Sequence, residues 1–149
     1  VASLGPQIPI QGVVAAGVFR VRMEIPEDQW ETFTGAAGID APANQRFGLR
    51  VEGASMDLLY PEGTILECVR YWGETIIPNG RRVIVQRTRE DGQIETTVKE
   101  YMRDADGIEW LVPRSTNPAF QSPFRCDQPE QGITDVRVIA IVVASTRYE

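Results

Sequence analysis

The chain is 149 residues long, with 42% hydrophobic and 24% charged residues, values of a single globular domain large enough to bury a core. Its net charge of -6 argues against nucleic-acid binding by this chain alone. Histidine is absent, which excludes Ser-His-Asp and Cys-His catalysis, HExxH zinc sites and most mixed zinc sites.

In chain order, the strand-like runs are "IPIQGVV", "GVFRVRMEI", "RFGLRVEG", "TILECVRYW", "RRVIVQRTR", "IETTVKEYM", "IEWLVP" and "DVRVIAIVVAS". Pro61-Glu62-Gly63, Pro78-Asn79-Gly80, Glu90-Asp91-Gly92 and Asp104-Ala105-Asp106-Gly107 separate several of them. Many short strands with such punctuation predict an all-β, mainly antiparallel domain with little helix. The segment 27–46 alone hints at helix, through "EDQWETF", before a loop "GAAGIDAPANQ". "REDGQIETTVKEY" reads as a hairpin turning at Asp91-Gly92. No repeat, P-loop or GxGxxG occurs.

Cys68 reads as a buried free thiol and Cys126 as a loop thiol, which fits a reducing cytoplasm. The clusters Arg81-Arg82 and Arg87-Thr88-Arg89 read as solvated faces. The longest apolar run, Val138 to Ala144, is far too short to span a membrane, and the first residues carry no signal pattern. The expectation is a soluble, cytoplasmic domain without membrane contact. A chain beginning at Val1 reads as part of a longer protein.

The stretch "VEGASMDLLYPEG" (51–63) places Ser55 in a glycine-bounded turn at the end of a strand-like run. Such a turn ends a strand, and it can also hold a hydroxyl where a base reaches it. Among fifteen basic residues, fourteen are arginine and one is lysine, Lys99, in the second arm of the hairpin. Arginine keeps its proton, so Lys99 is the sole candidate amine base. A serine hydroxyl needs a base to become a nucleophile, and burial among apolar neighbours can lower a lysine pKa enough to provide one. A solvent-facing lysine on a strand is the alternative.

Gly53-Ala54-Ser55-Met56, Pro61-Glu62-Gly63, the strand 64–70, Asn79-Gly80, the strand 81–88 and Thr97-Val98-Lys99 follow one another in an order that resembles the LexA-like (S24-type) autoproteolytic domain. "WLVPRSTNPAF" and "VRVIAIVVAS" resemble that family's later segments, and the 27–46 segment with Trp30 is most similar to the phage lambda-type CI repressors. The resemblance covers about residues 47–145 and departs at Thr64 and Arg81, where members often carry an acidic residue. It implies strongly bent sheets and one C-terminal peptidase and dimerisation domain over 1–149. Residues 1–46 would form the cleavage-site segment and connecting loop, and 47–149 the catalytic core.

The resemblance further implies a Ser55–Lys99 dyad, an oxyanion site from the backbone N–H groups of Ala54 and Ser55, and no metal or organic cofactor. Family members cut their own backbone at a small-residue–glycine bond upstream of the serine. Of the two Ala-Ala-Gly triplets, Ala15-Ala16-Gly17 and Ala36-Ala37-Gly38, the first lies among strand-like residues, with Gly17 38 positions before Ser55. Ala16-Gly17 is therefore the favoured cleavage site. The implied setting is a repressor that dimerises, binds operator DNA through an N-terminal helix-turn-helix domain absent here, and cuts itself when stimulated by a RecA–single-stranded DNA filament in the SOS response to DNA damage. A UmuD-like polymerase accessory subunit and a non-cleaving dimerisation domain are the alternatives. A signal peptidase would need a membrane anchor.

Overall fold

A computed structural model describes residues 5–16, 18–19, 25–53, 56 and 58–147, with only the backbone of residue 120. Nine strands follow in chain order: β1 (Gln7–Val14), β2 (Thr32–Thr34), β3 (Arg46–Val51), β4 (Ile65–Arg70), β5 (Arg82–Arg89), β6 (Ile94–Arg103), β7 (Glu109–Val112), β8 (Phe124–Arg125) and β9 (Ile133–Thr146). They form one sheet in the order β2-β1-β3-β4-β9-β5-β6-β7-β8. The only other regular pieces among the described residues are three short 3-10 turns. The expected all-β class is observed. No helix among the described residues is long and apolar enough to cross a membrane.

The β5–β6 hairpin turns where its residues predict. Gly92 has φ +86, and Gln93 donates its N–H to Asp91 Oδ1 at 2.9 Å. Strand period 2 then sorts the two arms. Ile84 faces Val98 in one buried cluster with Phe47, Leu49, Leu66 and Val142, while Val83 and Val85 join Tyr101, Leu111 and Phe124 in another. Both faces of the hairpin are therefore covered. Val136 to Ala144 lies within β9, which is paired on one edge to β4 and on the other to β5.

Every pairing is antiparallel except β1 with β3, which sets Val13 beside Arg50 and Val14 beside Val51. Because these two strands run the same way, they end at the same place. The chain leaves β1 into Ala15-Ala16-Gly17 and β3 into Gly53-Ala54-Ser55, so both segments start from one corner of the sheet. An antiparallel pairing would have sent them to opposite ends.

Three sequence expectations need correction or restriction. The helix suggested by "EDQWETF" is a single 3-10 turn, Glu27–Gln29, followed by β2. Trp30 is already extended, and Thr32–Thr34 pairs with Gln7–Pro9, so sheet pairing overrides the local helical pattern. Most of "GVFRVRMEI" lies outside the described residues. Arg87 is not on a solvated face: it is half-buried, and its Nε and Nη2 donate to Glu95 Oε1 and Oε2 at 2.6 and 3.0 Å. Arg82 is half-buried as well.

A second buried ion pair fixes the loop before β3. Arg46 Nη1 donates to Glu67 Oε2 at 3.1 Å, with both side chains under a tenth exposed. Glu67 Oε1 accepts from Ala36 N–H at 2.8 Å, and the Arg46 guanidinium donates to the carbonyls of Ala36, Ile39 and Ala41. A buried pair tolerates desolvation when its remaining donors and acceptors are satisfied in this way. The second Ala-Ala-Gly triplet is thereby tied to β4.

Candidate active site

Lys99 sits in the middle of β6, directly opposite Val83 and on the face shared by Val85, Thr97 and Tyr101. It is 4% exposed, so the solvent-facing alternative is ruled out. Nζ donates to Thr97 Oγ1 at 2.7 Å and to the Val98 carbonyl at 3.3 Å. A neutral amine has two N–H bonds and one lone pair, so these two hydrogen bonds leave the lone pair available for a proton. Burial lowers the Lys99 pKa from 10.5 to about 8, which puts a substantial neutral fraction near physiological pH.

The apolar setting expected for this lysine is the main cause of that shift, with one addition. The buried carboxylate of Glu95, on the same face of β6, pulls the lysine pKa upward, and Arg87 pushes it down. The bidentate Arg87–Glu95 pair thus partly offsets a charge that favours the protonated lysine, and burial remains the larger effect. Sequence reading had the signal for it, since Arg87 and Glu95 are equidistant from the Asp91 turn.

Ser55, Ala54 and Gly17 lie outside the described residues, and the residues around them define where their segments run. Gly53 has φ +80, a left-handed conformation that glycine adopts without strain. The loop that follows is closed at its base, because Val51 N–H donates to the Thr64 carbonyl and Gly63 N–H to the Val51 carbonyl, both at 2.8 Å. Thr64, where the acidic residue was expected, closes its own turn by donating Oγ1 to the Pro61 carbonyl at 2.6 Å.

On the far side of Ser55, Met56 is 1% exposed and belongs to the main core cluster. Its Sδ accepts from Arg114 N–H at 3.1 Å, and Leu58 N–H donates to the Arg114 carbonyl at 3.1 Å. Arg114 comes two residues after Val112, the β7 partner of Glu100, and its guanidinium grips Glu100 through two hydrogen bonds. The segment after Ser55 is therefore docked on the stretch just beyond β7, which is tied to Glu100, the residue next to Lys99. Within "WLVPRSTNPAF", Ser115 is buried and accepts from Asn117 N–H at 3.0 Å, while Asn117 caps the turn Pro118–Phe120.

Val14 and Ala15, at the start of the first Ala-Ala-Gly triplet, are drawn to the same corner. Glu52 N–H donates to the Val14 carbonyl at 2.8 Å, and Ala15 N–H donates to the Thr96 carbonyl at 2.9 Å. Val14 and Ala15 thus bridge the strand that leads to Ser55 and the strand that carries Lys99. Val18 N–H donates back to the Ala15 carbonyl at 3.4 Å. The second triplet is held instead by Arg46 and Glu67, and among the described residues it forms no such bridge.

Cys68 is fully buried, and burial pushes its thiol pKa up; Cys126 is partly buried with its pKa pushed up to about 11. Neither has the depressed pKa of a reactive thiol. Among the described residues, no group of three or more His, Cys, Asp or Glu side chains is placed to hold a metal ion.

Among curated proteins, no sequence matches the chain significantly. The profile of the peptidase S24-like family matches residues 9–143, a span that takes in most of β1, the serine loop, Lys99 and most of β9. The chain belongs to the peptidase S24-like family, the serine peptidases of the LexA and CI type.

Proposed function

We propose that this chain is the self-cleaving peptidase and dimerisation domain of a LexA- or CI-type transcriptional repressor, and that it cuts its own Ala16-Gly17 bond with a Ser55–Lys99 dyad. The observation that carries the reading is the pair of backbone hydrogen bonds joining Val14 to Glu52 and Ala15 to Thr96, next to a lysine whose pKa is lowered to about 8. Neutral Lys99 takes the Ser55 hydroxyl proton as Oγ attacks the Ala16 carbonyl carbon. The backbone N–H groups of Ala54 and Ser55 stabilise the oxyanion. Lys99 returns the proton to the Gly17 nitrogen as the peptide bond breaks. Water then attacks the Ala16 ester, giving up a proton to Lys99, which passes it to the departing Ser55 Oγ; the products are an Ala16 carboxylic acid that ionises in solution, a Gly17 amine and free Ser55.

Incubation at alkaline pH, or with a RecA–single-stranded DNA filament, should produce fragments ending at Ala16 and beginning at Gly17, read by mass spectrometry. Gly17→Glu should stop the cut, because a large charged side chain cannot lie against the serine turn where glycine lets the backbone approach. Cleavage at the same bond in Gly17→Glu, or at Ala37-Gly38 in the wild type, overturns the assigned site.

The repressor reading also places the domain in the cytoplasm as a symmetric dimer, which raises affinity for a palindromic operator by pairing two N-terminal DNA-binding arms. Both hydrogen-bonding edges of β9 are taken, so a dimer contact through this strand would use its side chains and not a strand edge. Sedimentation at micromolar concentration should give a dimer, and a monomer throughout that range would count against this part of the reading.

A further inference from the structure

We infer that Phe19 is a specificity-determining anchor that holds the chain on the far side of the cut bond by stacking on Arg89 and Arg87. The inference rests on the proposed Ala16-Gly17 cleavage. The near side of that bond is fixed by backbone hydrogen bonds at Val14 and Ala15. Three residues beyond Ala16, the Phe19 ring lies 3.7 Å from Arg89 Cζ and 5.9 Å from Arg87 Cζ. A planar guanidinium over an aromatic face is attracted by the ring quadrupole, and arginine suits this contact better than a lysine ammonium.

Arg87 is itself rigidly placed. Glu95 grips it through two hydrogen bonds, and its Cζ lies 4.7 Å from the Phe124 ring on the hairpin's covered face. Phe19 therefore docks on a preformed surface of β5, the strand paired with the one that carries Lys99. It forms one wall of an open cavity of about 440 Å³ bordered also by Arg89, Glu130 and Ile133, which leaves room for a larger ring. Ala15 is thus pinned to β6 and Phe19 to β5, one on each side of the proposed cut, and an intramolecular reaction gains rate when the chain flanking the reacting bond is held on both sides.

The test is the rate of alkaline self-cleavage in the whole chain. Phe19→Ala should slow the cut about fivefold, Arg89→Ala should slow it to a similar extent, and the double variant should be little slower than either. Phe19→Trp should cleave at the wild-type rate, whereas Phe19→Leu, apolar without a ring face, should resemble Phe19→Ala. The pH at which the rate levels off should be unchanged in all of them, since the anchor acts on position and not on Lys99. If Phe19→Ala fails to fold, the exposed Arg89 still allows the comparison. Wild-type cleavage with Phe19→Ala or Arg89→Ala equally fast overturns the anchor alone, as do losses that multiply in the double variant. A wild-type chain that leaves Ala16-Gly17 intact overturns the proposed function and the anchor with it.

Discussion

Lys99→Arg is expected to give a folded protein that no longer cuts itself. Arginine keeps the positive charge and the length of the side chain, but its guanidinium holds its proton at any usable pH and cannot accept one from Ser55. Lys99→Ala removes the base and Ser55→Ala the nucleophile, with the same outcome. A positioned general base contributes roughly 100-fold or more to rate, so each variant should fall by at least about that factor. Fragment yield over time, followed by mass spectrometry beside a folding check, measures it. Lys99 meets Val83 across the hairpin and is 4% exposed, so the check matters most for the bulkier arginine. Folded Lys99→Arg protein cutting itself near the wild-type rate would remove the dyad from the mechanism.

The self-cleavage rate should rise about tenfold per pH unit in neutral solution and level off near pH 8, because only the neutral amine is active and burial lowers the Lys99 pKa from 10.5 to about 8. The same shift has a consequence for stability. The folded state releases the lysine proton more readily than the unfolded chain, so between about pH 8 and 10.5 the unfolded state binds more protons and stability rises with pH. The contribution is fully present above 10.5 and is lost as pH falls through 8. Its upper size is about 3 kcal/mol.

Other groups titrate in the opposite sense at alkaline pH, since burial raises the pKa values of Tyr60, Cys68, Tyr101 and Cys126. Denaturant unfolding of the wild type against Lys99→Met cancels them, because both proteins carry all four. The apolar variant should be the more stable at pH 7, and its advantage should shrink by pH 10. A constant difference across that range would mean that Lys99 is not charged at a cost in the folded state. A cleavage rate that is flat from pH 6 to 9 would mean that its titration does not control the reaction.

Much of the chemistry was legible in residue types and spacing. A chain without histidine and with one lysine singles out Lys99 as the candidate amine base, and the resemblance of the Gly53-Ala54-Ser55-Met56 and Thr97-Val98-Lys99 motifs to the LexA-like family adds Ser55 as its candidate partner. The turn at Asp91-Gly92 pairs Arg87 with Glu95 by counting, and the strands themselves follow from alternation between turn residues. These are local properties, carried by φ/ψ preference and period 2, and the local chain dictates them. Local pattern also misled, at "EDQWETF", where pairing of Thr32–Thr34 with β1 outweighed a weak helical preference.

Three decisions belonged to the tertiary structure. The burial of Lys99 could not be read from alternation, because neighbouring strands and loops cover both faces of the hairpin and buried side chains occur at either parity. The difference between the two Ala-Ala-Gly triplets comes from the parallel pairing of β1 with β3 and from the Arg46–Glu67 pair, contacts between residues about twenty to forty positions apart. The setting of Arg87 under Phe19 and Phe124 depends on three separate segments meeting. Composition and spacing choose which groups can do chemistry, since that depends on what each side chain is. Where those groups meet and how dry they are depends on long-range packing, whose energy is gained only once distant segments are brought together.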